Sequence, residues 1–487
     1  MSRPRLSVCA AVVPLLLSGC MVGPNYRRPD MALPAAFLGR DAVTARPAPA
    51  TGEAALWWAR FGDPLLSRLV DRALAQNLEI AQAAARMGQA KAALRQADAA
   101  LLPSGAISAQ AVAARQSIGT PAGRLLAATP GFDRDMNAYE ADLDASWEID
   151  LFGGLRRDRE AAIADYSASR ADAAAVRLAA AAQVAETYIT IRGLQARLAI
   201  AEAQVRTQQQ LVDIVALQYR KGVAAELQLR RAEGALSQVK ATLPVLQAAL
   251  DSAGNALDVL LGAPPGTYRA ELAPAAGVIP IAPAITEIGG PADLLRRRPD
   301  LIVAEQKLVA ANAQIGSAIS DYYPKLDLSG LLGTASGSVS RLFTGAANQA
   351  QGIAGLRWRL FDFARVDAEI ATAKGRRAEA LAGYRLAALR ACEDVENAFS
   401  TLMNSESQQH DLAEGEASLI RAQQASLAAY KSGAVSLLDV LDADERLLAT
   451  RDARAQAQAQ AARAAVASFR ALGGGWDPSR DNFARTS

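Results

Sequence analysis

The sequence predicts a mainly α-helical protein with a membrane-type β part, laid out as a duplicated helix–strand–strand–helix–helix unit. Three features predict it. Hydrophobic residues fill 51% of the 487 positions but aromatics only 5%, and alanine is the largest apolar contributor. Alanine is the best helix former and the least bulky core residue, so long, closely packed helices follow. Apolar residues recur every seven positions over long stretches, the mark of a coiled-coil seam. Residues 139–150 alternate strictly between apolar and polar side chains, the pattern of a strand with water on one face only.

The chain opens with basic Ser2-Arg3-Pro4-Arg5, a short apolar run from Leu6 to Leu17, and Leu17-Ser18-Gly19-Cys20. This is a secretory signal layout, too short for a stable span. The four residues ending at Cys20 also resemble a bacterial lipobox, which makes 1–19 a signal peptide and Cys20 a lipidated N-terminus. Cys9 leaves with the signal, so Cys392 alone remains in the body and no intrachain disulfide is expected. Residues 20–64, rich in Pro, Gly and Ala, read as an extended segment.

The first repeat covers 65–261. Residues 65–100 read as helix, stopped before Pro103. A weakly alternating strand follows at about 104–116, then a Gly/Pro/Thr loop, then the strand at 139–150. In that strand Tyr139, Ala141, Leu143, Ala145, Trp147 and Ile149 share one face, while Glu140, Asp142, Asp144 and Glu148 lie on the other and need water. From Leu155 to Lys221 there is no proline, and Val184, Ile191, Leu198, Val205, Val212 and Tyr219 recur every seven residues, with Leu194, Ala201 and Val215 three further on, a heptad seam that predicts supercoiling. Gly222 breaks the helix, and a second one returns to Leu261. A connector spans 262–292. The second repeat, 293–472, follows the same plan, with a helix to Ser320, strands at about 325–335 and 353–361, a long helix from Arg365 to Lys431, a break at Gly433 and a return helix. A polar tail occupies 473–487. Tyr219-Arg220-Lys221-Gly222 and Tyr430-Lys431-Ser432-Gly433, like Trp147 and Trp358, are the same position twice.

Composition excludes several classes. With 52 basic and 50 acidic residues, net +2, there is no electrostatic footprint for nucleic acid. His410 is the single histidine, which rules out clustered His metal sites and most Ser-His or Cys-His catalysis. The expected protein is not an enzyme and carries no cofactor or metal beyond the lipid on Cys20. Four amphipathic strands cannot close a membrane barrel alone, since known barrels start at about eight strands. Three chains would give twelve strands and an open bore. The same alternation also fits a soluble β-layer with its polar face outward.

Arg297-Arg298-Pro299-Asp300, Ala304-Glu305, Leu308, Ala310-Ala311, Ile315-Gly316 and Tyr323-Pro324-Lys325-Leu326 together resemble the outer-membrane factor family of TolC-like and OprM-like ducts, in its NodT-type lipoprotein branch. Trp147 through Gly154 and Leu437 through Ala443 match it too. The resemblance implies a homotrimer with a twelve-stranded barrel in the outer membrane and a coiled-coil α-barrel in the periplasm. It would carry drugs, solvents, dyes or metal ions passively from an RND-type inner-membrane transporter and a periplasmic adaptor. The competing readings are a periplasmic coiled-coil adaptor and a structural lipoprotein.

By resemblance, Asp439 and Asp442 line a periplasmic gate; their copy-one counterparts are Gln228 and Arg231. Tyr430 matches a family latch tyrosine whose partner position is Gln228 here, so the ionic latch is absent, and a Tyr430–Gln228 hydrogen bond and a plain heptad role for Tyr430 both stay open. Val435 stands where the family latch has arginine. Arg230 and Arg231 are candidate counter-charges. Gly222 and Gly433 turn the hairpins and mark the adaptor-docking tips.

Overall fold

The computed structural model describes residues 21–47, 54–286 and 288–474. Cys20, the expected signal peptide at 1–19 and the tail beyond 474 lie outside the described residues. Those described fall into two compact units. One comprises 21–29, 88–168 and 304–383. The other comprises 30–47, 54–87, 169–286, 288–303 and 384–474.

The elements run α1 (Arg40–Thr44), a 3-10 segment (Ala54–Phe61), α2 (Pro64–Gln76), α3 (Leu78–Ala99), β1 (Ser104–Arg115), α4 (Pro121–Ala127), β2 (Asp135–Ile149), α5 (Gly154–Arg220) and α6 (Glu226–Leu260). The second half continues with α7 (Pro291–Arg297), α8 (Pro299–Ser320), β3 (Lys325–Ser336), short 3-10 turns, β4 (Asn348–Arg357), α9 (Phe363–Lys431) and α10 (Leu437–Ala471). The duplicated plan is therefore real. At 67 residues, α5 is about 100 Å long.

Three boundaries differ from expectation. The first helix is two helices, because Asn77 leaves the helical conformation. Its Oδ1 accepts from Glu79 N at 2.9 Å and Ile80 N at 3.1 Å, capping α3, while its Nδ2 donates to Leu260 O at 2.9 Å. β2 starts four residues early, at Asp135. β4 spans 348–357 rather than 353–361, since its ladder with β3 ends at the Lys325–Arg357 pair. The aromatic run Trp358–Phe361 that suggested a strand lies beyond the ladder, and Phe361 is fully exposed. The loop expected over 117–135 also holds α4, capped by Thr120 Oγ1 accepting from Gly123 N at 3.0 Å.

The first unit is built on a four-stranded antiparallel sheet in the order β1-β2-β3-β4. The two repeats join through β2 and β3, with Ile149 opposite Leu326 and Tyr139 opposite Ser336. Behind it runs an N-terminal strap, 21–28. Buried Arg157 donates from Nε to Val22 O at 3.0 Å and from Nη2 to Gly23 O at 3.1 Å and Asn25 Oδ1 at 2.9 Å. Asn312 Nδ2 donates to Pro24 O at 2.8 Å, and Arg28 and Tyr26 both bind Glu305. Gly23 has φ +88°, and a Cβ there would lie 2.4 Å from Gly316 Cα. Glycine on both sides lets the strap cross α8 backbone to backbone.

The second unit has an alanine-rich core. Trp57, Leu66, Leu69 and Val70 pack with Val184, Tyr188 and Ile191 of α5, Val395 and Phe399 of α9, and Ala461 to Phe469 of α10. Small side chains let the helices approach closely: a Cβ on Gly193 would lie 3.0 Å from Ala459 Cβ. In the half of α5 nearer Gly222 one of the two expected heptad rows is buried and the other is not. There Ala201 and Val215 are buried with Gln204, Gln208 and Leu211, while Val205 and Val212 are half-buried and Tyr219 is exposed. The Val205, Val212 and Tyr219 row flanks the seam, and two glutamines occupy it.

Candidate functional site

The sheet and the hairpin tips carry the functional geometry, and each lies within one unit. In the sheet, register lines the side chains into rows. One face presents Ile149, Leu326 and Leu356, then Trp147, Leu328 and Ala354. Next come Gly105, Ala145, Gly330 and Gly352, and then Ile107, Leu143, Leu332 and Ala350. With Ala109, Ala141 and Thr334, these rows run from 141 to 149 in β2, eight steps or about 26 Å of strand. That matches the apolar band of about 25 Å in outer-membrane barrels. Ile107, Leu143 and Leu332 are exposed.

The opposite face carries Glu140, Asp142, Asp144 and Glu148 with Ser108, Ser329 and Gln351. Asp144 accepts from Ser108 Oγ at 2.8 Å. Asp142 is not the open acid that alternation suggested. Its carboxylate lies over Gly333, where a Cβ would come within 2.0 Å of Oδ1, and accepts from Gln349 Nε2 at 2.7 Å. Only glycine at 333 leaves room for it.

Two tryptophans missed as site residues hold the base of the sheet. Trp147 Nε1 donates to Leu101 O at 3.0 Å, and Trp358 Nε1 donates to Tyr322 O at 2.9 Å. Each acceptor stands two residues before a proline, Pro103 or Pro324. Both repeats therefore tie their helix-to-strand elbow to the next strand by the same indole bond. The paired Trp and x-Pro spacings were the available signal.

At the tips the duplication is exact in bonding pattern. Gly222, φ +74°, donates to Tyr219 O, and Val223 N to Gln218 O; Gly433, φ +78°, donates to Tyr430 O, and Ala434 N to Ala429 O. Both are Schellman closures, which need a left-handed residue at C′. The following helices then diverge. α6 starts at Ala225 with no side-chain cap, whereas α10 starts with a capping box. Asp439 Oδ2 accepts from Ser436 N at 2.9 Å and Ser436 Oγ at 2.6 Å. These bonds hold the exposed Asp439 carboxyl below its ordinary range. Asp442, one turn on, pairs with Arg446 at 2.9 Å on the solvent side.

The latch expectation is corrected. Tyr430 OH donates to Gln218 Oε1 at 2.8 Å, not to Gln228. Tyr430 is buried with Leu211, Val215, Ala232, Leu437 and Val440, which aims its hydroxyl at α5 rather than the start of α6. Burial pushes its pKa up. Arg230 is also spoken for, by Glu226 at 3.2 Å and Glu233 at 2.9 Å in its own helix. Arg231 shares with Asp442 the walls of an open groove of about 930 Å³ between α6 and α10.

A sheet with one apolar and one polar face, open at β1 and β4, on a duplicated scaffold of long hairpins defines an outer-membrane channel subunit. The outer membrane efflux protein family matches residues 69–263 and 290–474, and the chain belongs to that family. It is 32% identical over 477 residues to the pyoverdine export outer membrane protein OpmQ of Pseudomonas putida, covering 98% of each chain. It is 30% identical over 466 residues to nodulation protein T of Rhizobium leguminosarum bv. trifolii, covering 95% of this chain and 96% of that one. The solved structure of the outer-membrane channel OprN superposes with a TM-score of 0.84 at 32% identity, over 94% of this chain and 100% of that one. The protein is an outer-membrane efflux channel.

Proposed function

We propose that three copies close their sheets edge to edge into a twelve-stranded barrel, forming the passive exit duct of a tripartite efflux system. The observation that carries this is the 26 Å apolar face on a sheet with two open edges. Hydrocarbon does not tolerate unpaired edges, and four strands are too few to close. In this reading Gly222 and Gly433 turn the tips that meet a periplasmic adaptor beneath an RND-type inner-membrane transporter. Six similar tips per trimer suit a six-fold adaptor ring. Asp439 and Asp442 gather six carboxylates at the periplasmic constriction, and Glu140, Asp144 and Glu148 face the lumen. Drugs, solvents or metal ions are the cargo.

Single cysteines test the orientation. Asp144→Cys should react with a water-soluble thiol reagent in intact outer membranes, and Leu143→Cys should not. Equal labelling would instead support a soluble β-layer.

Lipidation of Cys20 is proposed from Leu17-Ser18-Gly19-Cys20. Cys20→Ala should abolish incorporation of labelled palmitate into the mature protein while leaving trimers detectable. Undiminished label in the variant would refute the lipobox.

A further inference from the structure

The two glutamines that interrupt the α5 seam meet a buried acid. Asp444 of α10 is 2% exposed, Gln208 3% and Gln204 6%. Gln208 Nε2 donates to Asp444 Oδ2 at 3.3 Å, and Gln423 of α9 is a second polar side chain close enough to favour the charged carboxyl. Three buried atoms in this layer have no hydrogen-bond partner: Asp444 Oδ1, Gln208 Oε1 and Gln204 Nε2. The first two are the second oxygens of groups already joined by one hydrogen bond. As a carboxylate, Asp444 cannot donate, so both oxygens stay unmatched. A proton on Oδ1 turns one of them into a donor for the other. One proton therefore satisfies two buried atoms and closes a reciprocal acid–amide pair.

No charge takes the proton's place. From α5 Asp444 meets Gln204 and Gln208, and from α9 Gln423. Glu202 and Arg206 on α5, Arg231 on α6, Arg421 on α9, and Asp442, Glu445 and Arg446 on α10 are solvent-exposed, and the half-buried Arg197 and Asp452 that line the same groove are paired with each other at 2.6 Å. Gln204 and Gln208 also line the groove between α6 and α10, which gives protons and water a route to the layer.

We propose that Asp444 and Gln208 form a proton-operated latch between the two hairpins, closed onto each other when the acid is neutral and loosened when it ionises. The latch stands without the gate assigned above; only its effect on conduction rests on that reading. Burial raises the Asp444 pKa, consistent with a group that favours its neutral form in place. The sign follows. A carboxyl raised in the folded state supports packing below the ordinary carboxylate range, and that support fades as pH climbs to the raised value. Acidification of the periplasmic side thus tightens the α9–α10 hairpin against the α5–α6 hairpin.

Hydrogen exchange on the full-length protein in detergent tests this. After correction for intrinsic rates, amides over 437–450 should exchange faster at about pH 8 than at about pH 4, by about tenfold for each unit by which the pKa is raised. Asp444→Asn keeps both reciprocal bonds at any pH, so its protection should match the acid state of the wild type and show no pH dependence. Gln208→Leu should exchange fast at both. A pH dependence that survives Asp444→Asn, or a flat wild type, overturns the latch. Single-channel recordings separate the two readings: with a latch but no gate at these tips, Asp444→Asn would flatten the exchange profile and leave conductance versus periplasmic pH unchanged.

Discussion

Lysine in place of Leu143 is expected to abolish the outer-membrane trimer. Leu143 sits one row from the middle of the band, flanked across the strands by Ile107 and Leu332. A lysine facing hydrocarbon near the midplane costs about 2–4 kcal/mol per chain. Three copies place three such charges at one depth, a total that rivals the stability of a whole domain. The neighbouring Asp144→Lys puts the same charge on the watered face and should still insert. Heat-sensitive migration of the trimer from outer-membrane fractions reads both. Normal trimers from Leu143→Lys would place the apolar face against protein instead of lipid.

Removing Asp439 and Asp442 together should give the second large effect, on ions rather than assembly. Six carboxylates around a narrow opening attract cations and bind a multivalent one well. The Asp439→Ala/Asp442→Ala protein in planar bilayers should lose most cation selectivity and most block by a multivalent cation added from the periplasmic side. Asp439 also caps α10, so alanine removes a bond as well as a charge. Asp439→Asn with Asp442→Asn keeps an acceptor at the cap and should show the same loss. Gln228→Ala with Arg231→Ala, the equivalent change in copy one, should leave block nearly intact. Because Ser436 holds Asp439 low, its charge persists as pH falls through the ordinary carboxylate range, and block should persist with it. Wild-type block in both double variants would reduce the acids to helix-start charges.

The long elements were legible because their signals are redundant. Proline-free stretches, matching Gly222 and Gly433, and strict alternation in β2 each point to one structure. Failures cluster where a polar residue does an apolar residue's job or the reverse. Gln204 and Gln208 sit inside the α5 seam, so an apolar count selected Leu198, Val205 and Val212 beside it. Trp358 to Phe361 has strand composition, yet no partner strand reaches it. β4 is rich in Gln, Gly and Ala, and only pairing with β3 makes it a strand. Asp142 alternates correctly, but the space over Gly333 is visible only once β2 and β3 are in register. The Tyr430 partner depended on which helix lies nearest, and spacing along one chain does not reveal that.

The strap also says something about the order in which the molecule can be completed. Its anchors lie far downstream: Glu305 is 279 positions after Tyr26, and Asn312 is 288 after Pro24. A chain emerging from translocation presents residues 21–28 first and their cradle only after more than half of the sequence has followed. Until α8 exists, the strap has only the Arg157 and Phe152 side of its cradle, and closing so long a loop is among the slowest steps available to a folding chain. The N-terminus is thus the first part made and among the last parts seated. An acyl group on Cys20 would hold it at the bilayer through that interval, turning a search through the periplasm into a search along a surface.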